Sequence, residues 1–183
     1  EKKNINNLFY CRTPLQIKIA SKLINRFGED HFIIYHPAGS GQKHHYYFNS
    51  IPSKKKIFLK YHNISKLNFF LDFVTYFFLP RHLRKNKYNN FYFASLSHPL
   101  VALLEKRVIN KKLNLFDDGT FNIDPVFFYK FLRNESRLST IIRKLLNLKT
   151  PIEIKDCIHN HFSIYPQDYT KWMDCNYFRV QLF

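Results

Sequence analysis

The sequence has little of what builds several common classes of small protein. Only four of its 183 residues are glycine, and none of them forms a Gly-x-Gly-x-x-Gly or Walker-type loop. No motif therefore supports a dinucleotide or nucleoside-triphosphate site, and a loop-rich binding module is disfavoured. The three cysteines, Cys11, Cys157 and Cys175, lack any Cys-x-x-Cys spacing. This excludes a recognisable disulfide framework or zinc motif and favours a reducing compartment.

Long apolar runs are also scarce. Residues 1–7 are polar, so we predict no signal peptide. The most apolar stretch, residues 67–83, contains Asp72 and reaches Pro80 and Arg81. We predict an amphipathic or buried helix there rather than a membrane span.

Positive charge and aromatic residues are abundant. The net charge is +16, and 45% of the residues are hydrophobic and 18% aromatic, which is enough for a buried core. The charge favours anionic partners such as an anionic membrane surface, although A/T-rich codon usage explains part of the lysine excess equally well. Because no RRM, KH or helix-turn-helix pattern occurs, no nucleic-acid partner is predicted.

Short apolar runs alternate with helical patterns over the first 150 residues. This alternation predicts an α/β fold, with a Rossmann-like parallel sheet and helices on both faces. We predict one domain over residues 1–150. Residues 151–183 lose the rhythm and are expected to be a linker at the start of a further domain. The predicted strands are 8–11, 31–35, 57–59, 91–94 and 113–116. The predicted helices are 14–28, 46–51, 67–83 with a stop at Pro80 or slightly later, 99–109, and 126–148 with a break around residues 134–136.

Ligands of an open α/β sheet bind beyond the carboxyl ends of its strands. The motif Asp117-Asp118-Gly119 follows the fifth predicted strand. Two carboxylates there suit a general base, because a neighbouring charge and burial raise one pKa. An ordinary Asp-Gly turn is the competing interpretation. Thr120 and Asn122 lie in the same loop and are candidate substrate ligands.

Three polar residues in other strand-end loops are further candidates for substrate binding. Thr13 and Gln16 follow the first strand, where they also fit a helix capping box around Pro14. Ser95 follows the fourth strand, and capping of the next helix by Ser95 or Ser97 is the stronger alternative. Nine histidines are present, but no spacing completes a closed metal site, so no metal ligand is predicted.

Four segments, in order and with rough spacing, resemble glycosyltransferase family 52, the bacterial lipooligosaccharide sialyltransferases. They are NLFYCRTPLQIKIA at 7–20, YYFNSI at 46–51, FYFASL at 91–96 and LFDDGTFN at 115–122. The resemblance is good to about residue 125 and weaker beyond it.

This resemblance implies one half of a GT-B fold and transfer of sialic acid from CMP-sialic acid to a terminal galactose of lipooligosaccharide. It also implies inversion at the anomeric carbon and no cofactor or metal. Related sialyltransferase families place a general base on an Asp-Asp-Gly motif, which corresponds here to Asp117 and Asp118. The family's His-Pro motif lies in the donor-binding domain, so His98-Pro99 is not matched to it.

A GT-B enzyme needs two Rossmann-like domains, roughly 250 residues or more. We therefore expect a truncated, acceptor-side piece whose donor site lies mostly in a missing domain. A GT-B transferase for another activated sugar and a non-catalytic remnant stay open as alternatives. The expected location is cytoplasmic, peripheral to the inner membrane, with the basic residues 81–87 at the membrane surface.

Overall fold

A seven-stranded sheet forms the centre of the molecule. All six strand pairs are parallel, and the strand order is β3-β2-β1-β4-β5-β6-β7. The computed structural model describes residues 6–27, 30–51, 53–61, 68–117, 126, 129–130, 132, 137–166 and 174–182. The strands are β1 Asn7–Cys11, β2 His31–Tyr35, β3 Lys56–Phe58, β4 Tyr88–Phe93, β5 Val108–Phe116, β6 Ile158–Ser163 and β7 Asn176–Arg179.

Helices lie on both faces of this sheet, so the predicted Rossmann-like layering is confirmed. Among these helices none is long and apolar enough to cross a bilayer, within the residues that the structure describes. The helices are α1 Pro14–Phe27, α2 Gln42–Ser50, α3 Asn68–Phe78, α4 Arg81–Lys85, α5 Pro99–Glu105, α6 Arg137–Leu145 and α7 Pro151–Lys155.

Two separate apolar clusters cover the two faces. On one face, α1 packs Ile17, Ala20 and Leu23 against Phe9 and Tyr92 of the sheet. On the other face, α3 and α5 pack against β1, β4 and β5. Every residue of α5 is buried, because this helix lies between the sheet and its neighbours. The division follows from the strand order, since right-handed crossovers to the left and right of β1 place their helices on opposite faces.

Asparagine side chains add a polar row across the sheet. Asn90 Nδ2 donates to Asn7 Oδ1 at 2.9 Å. Farther along the sheet, Asn160 Nδ2 donates to Asn114 Oδ1 at 2.7 Å, and Asn176 Nδ2 donates to Asn160 Oδ1 at 3.2 Å. These amides belong to the face that α1 covers in part.

Several predicted helices have different bounds in the structure. The helix expected over residues 46–51 is α2, which begins at Gln42. Of the one expected over 126–148, the structure shows α6 Arg137–Leu145, and residues 127–128, 131 and 133–136 lie outside the described residues.

The helix expected over residues 67–83 divides into α3 and α4 around Pro80, which lacks the N–H that a continuous helix needs. The helix expected over residues 99–109 ends at Glu105, and β5 already begins at Val108.

Residues 151–183 differ from the linker expected there. Thr150 caps α7 in a reciprocal capping box with Glu153, and β6 and β7 then extend the same sheet. The sheet thus continues past the boundary expected at residue 150. The sequence pattern hides these strands because β6 reads IHNHFS, in which polar side chains occupy positions that a typical buried strand fills with apolar ones.

Candidate functional site

The strand order predicts a ligand crevice at the carboxyl edge of the sheet. Chain connections lead left from β1 to β2 and right from β4 to β5, so the order reverses between β1 and β4. Ligands of doubly wound sheets bind at such a point. The loops after β1 and β4 flank it, and they carry the predicted ligands Thr13, Gln16 and Ser95.

The loop after β1 is fixed by hydrogen bonds to its own helix. Gln16 Oε1 accepts from the backbone N–H of Arg12 at 2.6 Å, and Thr13 Oγ1 accepts from the backbone N–H of Gln16 at 3.3 Å. The predicted cap is thus present, except that Gln16 reaches Arg12 and not Thr13. Because the Gln16 side chain is buried, its observed role is to hold the loop.

The loop after β4 is capped by an unexpected residue. His98, and neither Ser95 nor Ser97, caps α5: its Nδ1 accepts the backbone N–H of Leu100 at 3.3 Å, with Pro99 at the first helical position. The serine cap predicted from the sequence is therefore wrong. Ser95 is half-buried in the loop, and its carbonyl accepts the backbone N–H of His98 at 3.1 Å.

A cluster of four buried or nearly buried polar side chains lies beneath this crevice. Tyr10 Oη lies 3.1 Å from His36 Nδ1 and 3.0 Å from His98 Nδ1. Asp72 of α3 contacts both imidazoles. Its Oδ2 lies 3.1 Å from His98 Nε2, which is a hydrogen-bond distance, and its Oδ1 lies 3.6 Å from His36 Nε2. We call these residues, Tyr10, His36, Asp72 and His98, the switch-point cluster.

Proton positions in the cluster follow from its contacts. His98 Nδ1 accepts from Leu100, so its proton is on Nε2 and points to Asp72. Burial, and then the charges of Arg12 and Arg143, hold the pKa of His98 well below its usual range, so this imidazole is neutral. Burial also raises the pKa of Tyr10, which keeps its hydroxyl as a donor.

His36, Asp72 and His98 bring potential metal-ligand atoms within 4.8 Å of one another. A divalent ion bound to His98 Nε2 would move the imidazole proton to Nδ1. In the structure Nδ1 accepts the backbone N–H of Leu100, so two donors would then face each other. Such an ion would also meet the positive charges of Arg12 and Arg143. The arrangement therefore fits a hydrogen-bonded cluster better than a metal centre.

Asp117 lies at the end of β5, as predicted, and is completely buried. Its Oδ1 is 2.9 Å from His161 Nε2. Its Oδ2 accepts from Ser163 Oγ at 2.8 Å and from the backbone N–H of Ile164 at 2.7 Å. Both oxygens are thus occupied by donors from β6 and the residue after it. The other predicted residues of this loop, Asp118, Gly119, Thr120 and Asn122, lie outside the described residues.

A buried arginine connects α6 to the crevice. Arg143 Nη2 donates to the carbonyl of Ser97 at 2.9 Å, and its Nη1 donates to the carbonyl of Lys149 at 2.8 Å. Lys149 in turn forms an ion pair with buried Glu105 at 2.8 Å. The bonds of Arg143 fix the loop after β4 from the side of α6. No motif in the sequence predicted them.

An all-parallel sheet with polar side chains converging on its switch point defines a Rossmann-like domain with a ligand crevice. Residues 28–183 match the model of Glycosyltransferase family 52, so the chain belongs to that family. The match includes the last third of the chain, where the sequence resemblance was expected to be weaker.

Two curated relatives are similar to the chain. One is the CMP-N-acetylneuraminate:beta-galactoside alpha-2,3-sialyltransferase of Pasteurella multocida, 27% identical over 167 residues, which cover 87% of this chain and 52% of the relative. Another is the N-acetyllactosaminide alpha-2,3-sialyltransferase of Neisseria meningitidis, 28% identical over 120 residues, which cover 64% of this chain and 32% of the relative. The chain thus spans about half the length of the first relative and a third of the second.

Proposed function

We propose that the chain is the acceptor-side part of a sialyltransferase. It would transfer sialic acid from CMP-sialic acid to a terminal galactose of lipooligosaccharide, with most of the donor site in a further domain. Membership of family 52 and the names of both relatives support the activity. The anchoring of Asp117 at the strand end beside the crevice is the observation that carries the site.

The two carboxylates of the Asp-Asp-Gly motif have different roles in this proposal. The acceptor hydroxyl loses its proton as it attacks the anomeric carbon, and a carboxylate at the strand end takes that proton. Asp117 has donors on both oxygens and no exposed surface, so we assign the base to Asp118. Asp117 then acts as a positioning residue that fixes the start of the loop.

The remaining candidate ligands keep this division. In this proposal Thr120, Asn122 and Ser95 supply hydroxyl and amide groups for the acceptor sugar, and Gly119, which has no side chain, leaves room for the sugar beside the carboxylates. Thr13 and Gln16 act on the substrate through the loop they hold, because the Gln16 oxygen is occupied by the Arg12 N–H.

The test is transfer of labelled sialic acid from CMP-sialic acid to a terminal-galactose acceptor by the full gene product that contains this chain. We expect Asp118→Asn to lower kcat at least about 100-fold, with KM little changed. Asp156→Asn, on an exposed carboxylate, is the matched control and should keep full activity. Undiminished turnover by Asp118→Asn would contradict the assignment. Transfer from a different nucleotide sugar, and none from CMP-sialic acid, would show that the donor in the proposal is wrong.

We also propose peripheral binding to the anionic cytoplasmic face of the inner membrane. Phe77 and Phe78 at the end of α3 are exposed, Phe78 by 82%. Arg81 and Lys85 of α4 follow directly and are also exposed. Apolar rings beside cations are what an anionic lipid surface binds.

Vesicle flotation tests this contact. Changing Arg81 and Lys85 together to Glu should reduce recovery on vesicles that contain anionic lipid several-fold. The same double change at Lys18 and Lys22 of α1, a helix on the opposite face of the sheet, is the control. Equal losses in both variants would show that only net charge matters and would remove the proposal.

A further inference from the structure

Arg12 lies beside the switch point because of its place in the chain. It follows β1 directly and precedes α1, whose positive dipole end begins two residues later. Its backbone is fixed on both sides: its N–H donates to Gln16 Oε1, and its carbonyl accepts the N–H of Ala38 at 3.0 Å. The guanidinium therefore starts from a rigid position in the crevice.

The Arg12 side chain has an unused donor. Its Nε is buried, and within the described part of the chain it has no hydrogen-bond partner. A buried donor without a partner costs about 1–3 kcal/mol. A bound oxyanion would remove that cost, because guanidinium groups bind carboxylates and phosphates through paired N–H groups.

The surroundings of Arg12 favour an anion. Its charge lowers the pKa of both Tyr10 and His98, and on Tyr10 its effect exceeds the opposing effect of Asp72. Asp72, the carboxylate that opposes this charge, lies 3.1 Å from His98 Nε2 and 3.6 Å from His36 Nε2. Buried Arg143 adds a second positive charge from the α6 side. Two positive charges therefore face one carboxylate at the switch point, and the Nε of Arg12 is the donor left for a ligand.

We propose that Arg12 forms an anion-binding subsite at the β1/β4 switch point, which holds the carboxylate of the sialic acid during transfer. The switch-point cluster acts as its floor, and the one carboxylate of that cluster, Asp72, opposes two guanidinium charges, those of Arg12 and Arg143. This inference rests on the proposed function for the identity of the anion. The oxyanion chemistry itself could also come from the phosphate of CMP, and the probes below separate the two.

Binding to the 183-residue chain is measured by isothermal titration with N-acetylneuraminate, with its neutral methyl ester, and with CMP. We expect N-acetylneuraminate to bind at least about tenfold more tightly than its ester, and Arg12→Gln to remove that difference. Arg12→Lys should restore part of it, since a single ammonium replaces the paired donors. Arg26→Gln, the same change at the other end of α1, is the control and should bind as the parent does.

Equal binding of acid and ester, or equal losses in Arg12→Gln and Arg26→Gln, would overturn the subsite. An Arg12-dependent response to CMP alone would support the subsite and make phosphate its ligand. Sialyl transfer by the full gene product separates the two proposals. Full transfer by Arg12→Gln would remove the subsite and leave the function, whereas Arg12-dependent anion binding without any transfer would remove the function and leave the subsite.

Discussion

Two carboxylates lie under the same sheet edge, Asp117 after β5 and Asp72 on α3, and they are held in different ways. Asp117 is completely buried, and its donors are two side chains and one backbone N–H at the end of β6. Asp72 keeps 15% of its side chain exposed. His98, after β4, donates to it at 3.1 Å, and His36, after β2, contacts it at 3.6 Å. A backbone donor cannot turn away, so the first carboxylate is fixed by the sheet, whereas the second connects separate loops through side chains that can change tautomer.

This difference predicts first that Asp117 contributes more to stability than either Asp72 or the exposed Asp156. Asp117→Asn places an amide N–H among three donors, so we expect a loss of about 3 kcal/mol in the free energy of unfolding. Urea unfolding followed by circular dichroism measures it. Asp156→Asn should change stability by less than about 0.5 kcal/mol. A loss below about 1 kcal/mol at Asp117 would show that its bonds do not hold the loop.

The second prediction concerns the loss of stability in acid that His98 of the switch-point cluster causes. The pKa of His98 is lowered in the folded state, so the unfolded chain takes up a proton first as the pH falls below about 6.5. The stability contribution is complete above that pH and is lost below it, by at most about 1.4 kcal/mol per pH unit for one proton. His98→Asn keeps an N-cap oxygen and removes the imidazole. Urea unfolding from about pH 7.5 to about pH 5 should show a smaller slope for this variant, and parallel slopes would contradict the assignment.

A third, smaller effect is expected at Asp72. In Asp72→Asn the imidazole of His36 can move its proton to Nδ1, donate to Tyr10 and accept from the new amide, so the loss should be about 1 kcal/mol. Nitrogen-15 NMR of the imidazoles would show the changed tautomer of His36. An unchanged tautomer with a loss as large as that of Asp117→Asn would erase the contrast between the two carboxylates.

The smallest effect is expected at the helix that leads into β6. Thr150→Ala removes the two bonds of the Thr150 hydroxyl, one accepted from the Glu153 backbone N–H and one donated to Glu153 Oε2. It should cost about 1 kcal/mol or less, whereas Thr150→Ser should cost little. Hydrogen exchange of residues 150–156 measures it locally. Unchanged protection in Thr150→Ala would mean that tertiary packing alone orders α7.

Much of the fold could be predicted because apolar runs mark buried strands. β1 to β5 follow such runs, and the start of α1 follows from Thr13 and Pro14. β6 and β7 could not be predicted in this way, because the asparagines that cross-link them read as polar loop. Each of those amides pairs with one on a neighbouring strand, so no local sequence pattern predicts the pairing.

The candidate site was predictable only where chemistry and chain position coincide. Asp117 stands in a recognisable motif at a strand end, and the structure places it there. His161 was visible only as one half of a His-x-His spacing, and Asp72 only as a charge in an apolar helix. Their partners are distant in sequence, 44 residues away for the pair His161 and Asp117, so the strand order alone brings them together.

The asparagine row across the sheet has a consequence for how the strands find their pairing. A slip of two residues between neighbouring parallel strands keeps every apolar side chain on its own face, so hydrophobicity alone resists it weakly. Such a slip would move Asn7 from Asn90 to Tyr92, and the amide would lose its partner in a buried place. The row therefore helps to fix the register of the sheet, because it disfavours alternative strand pairings that the apolar pattern would tolerate.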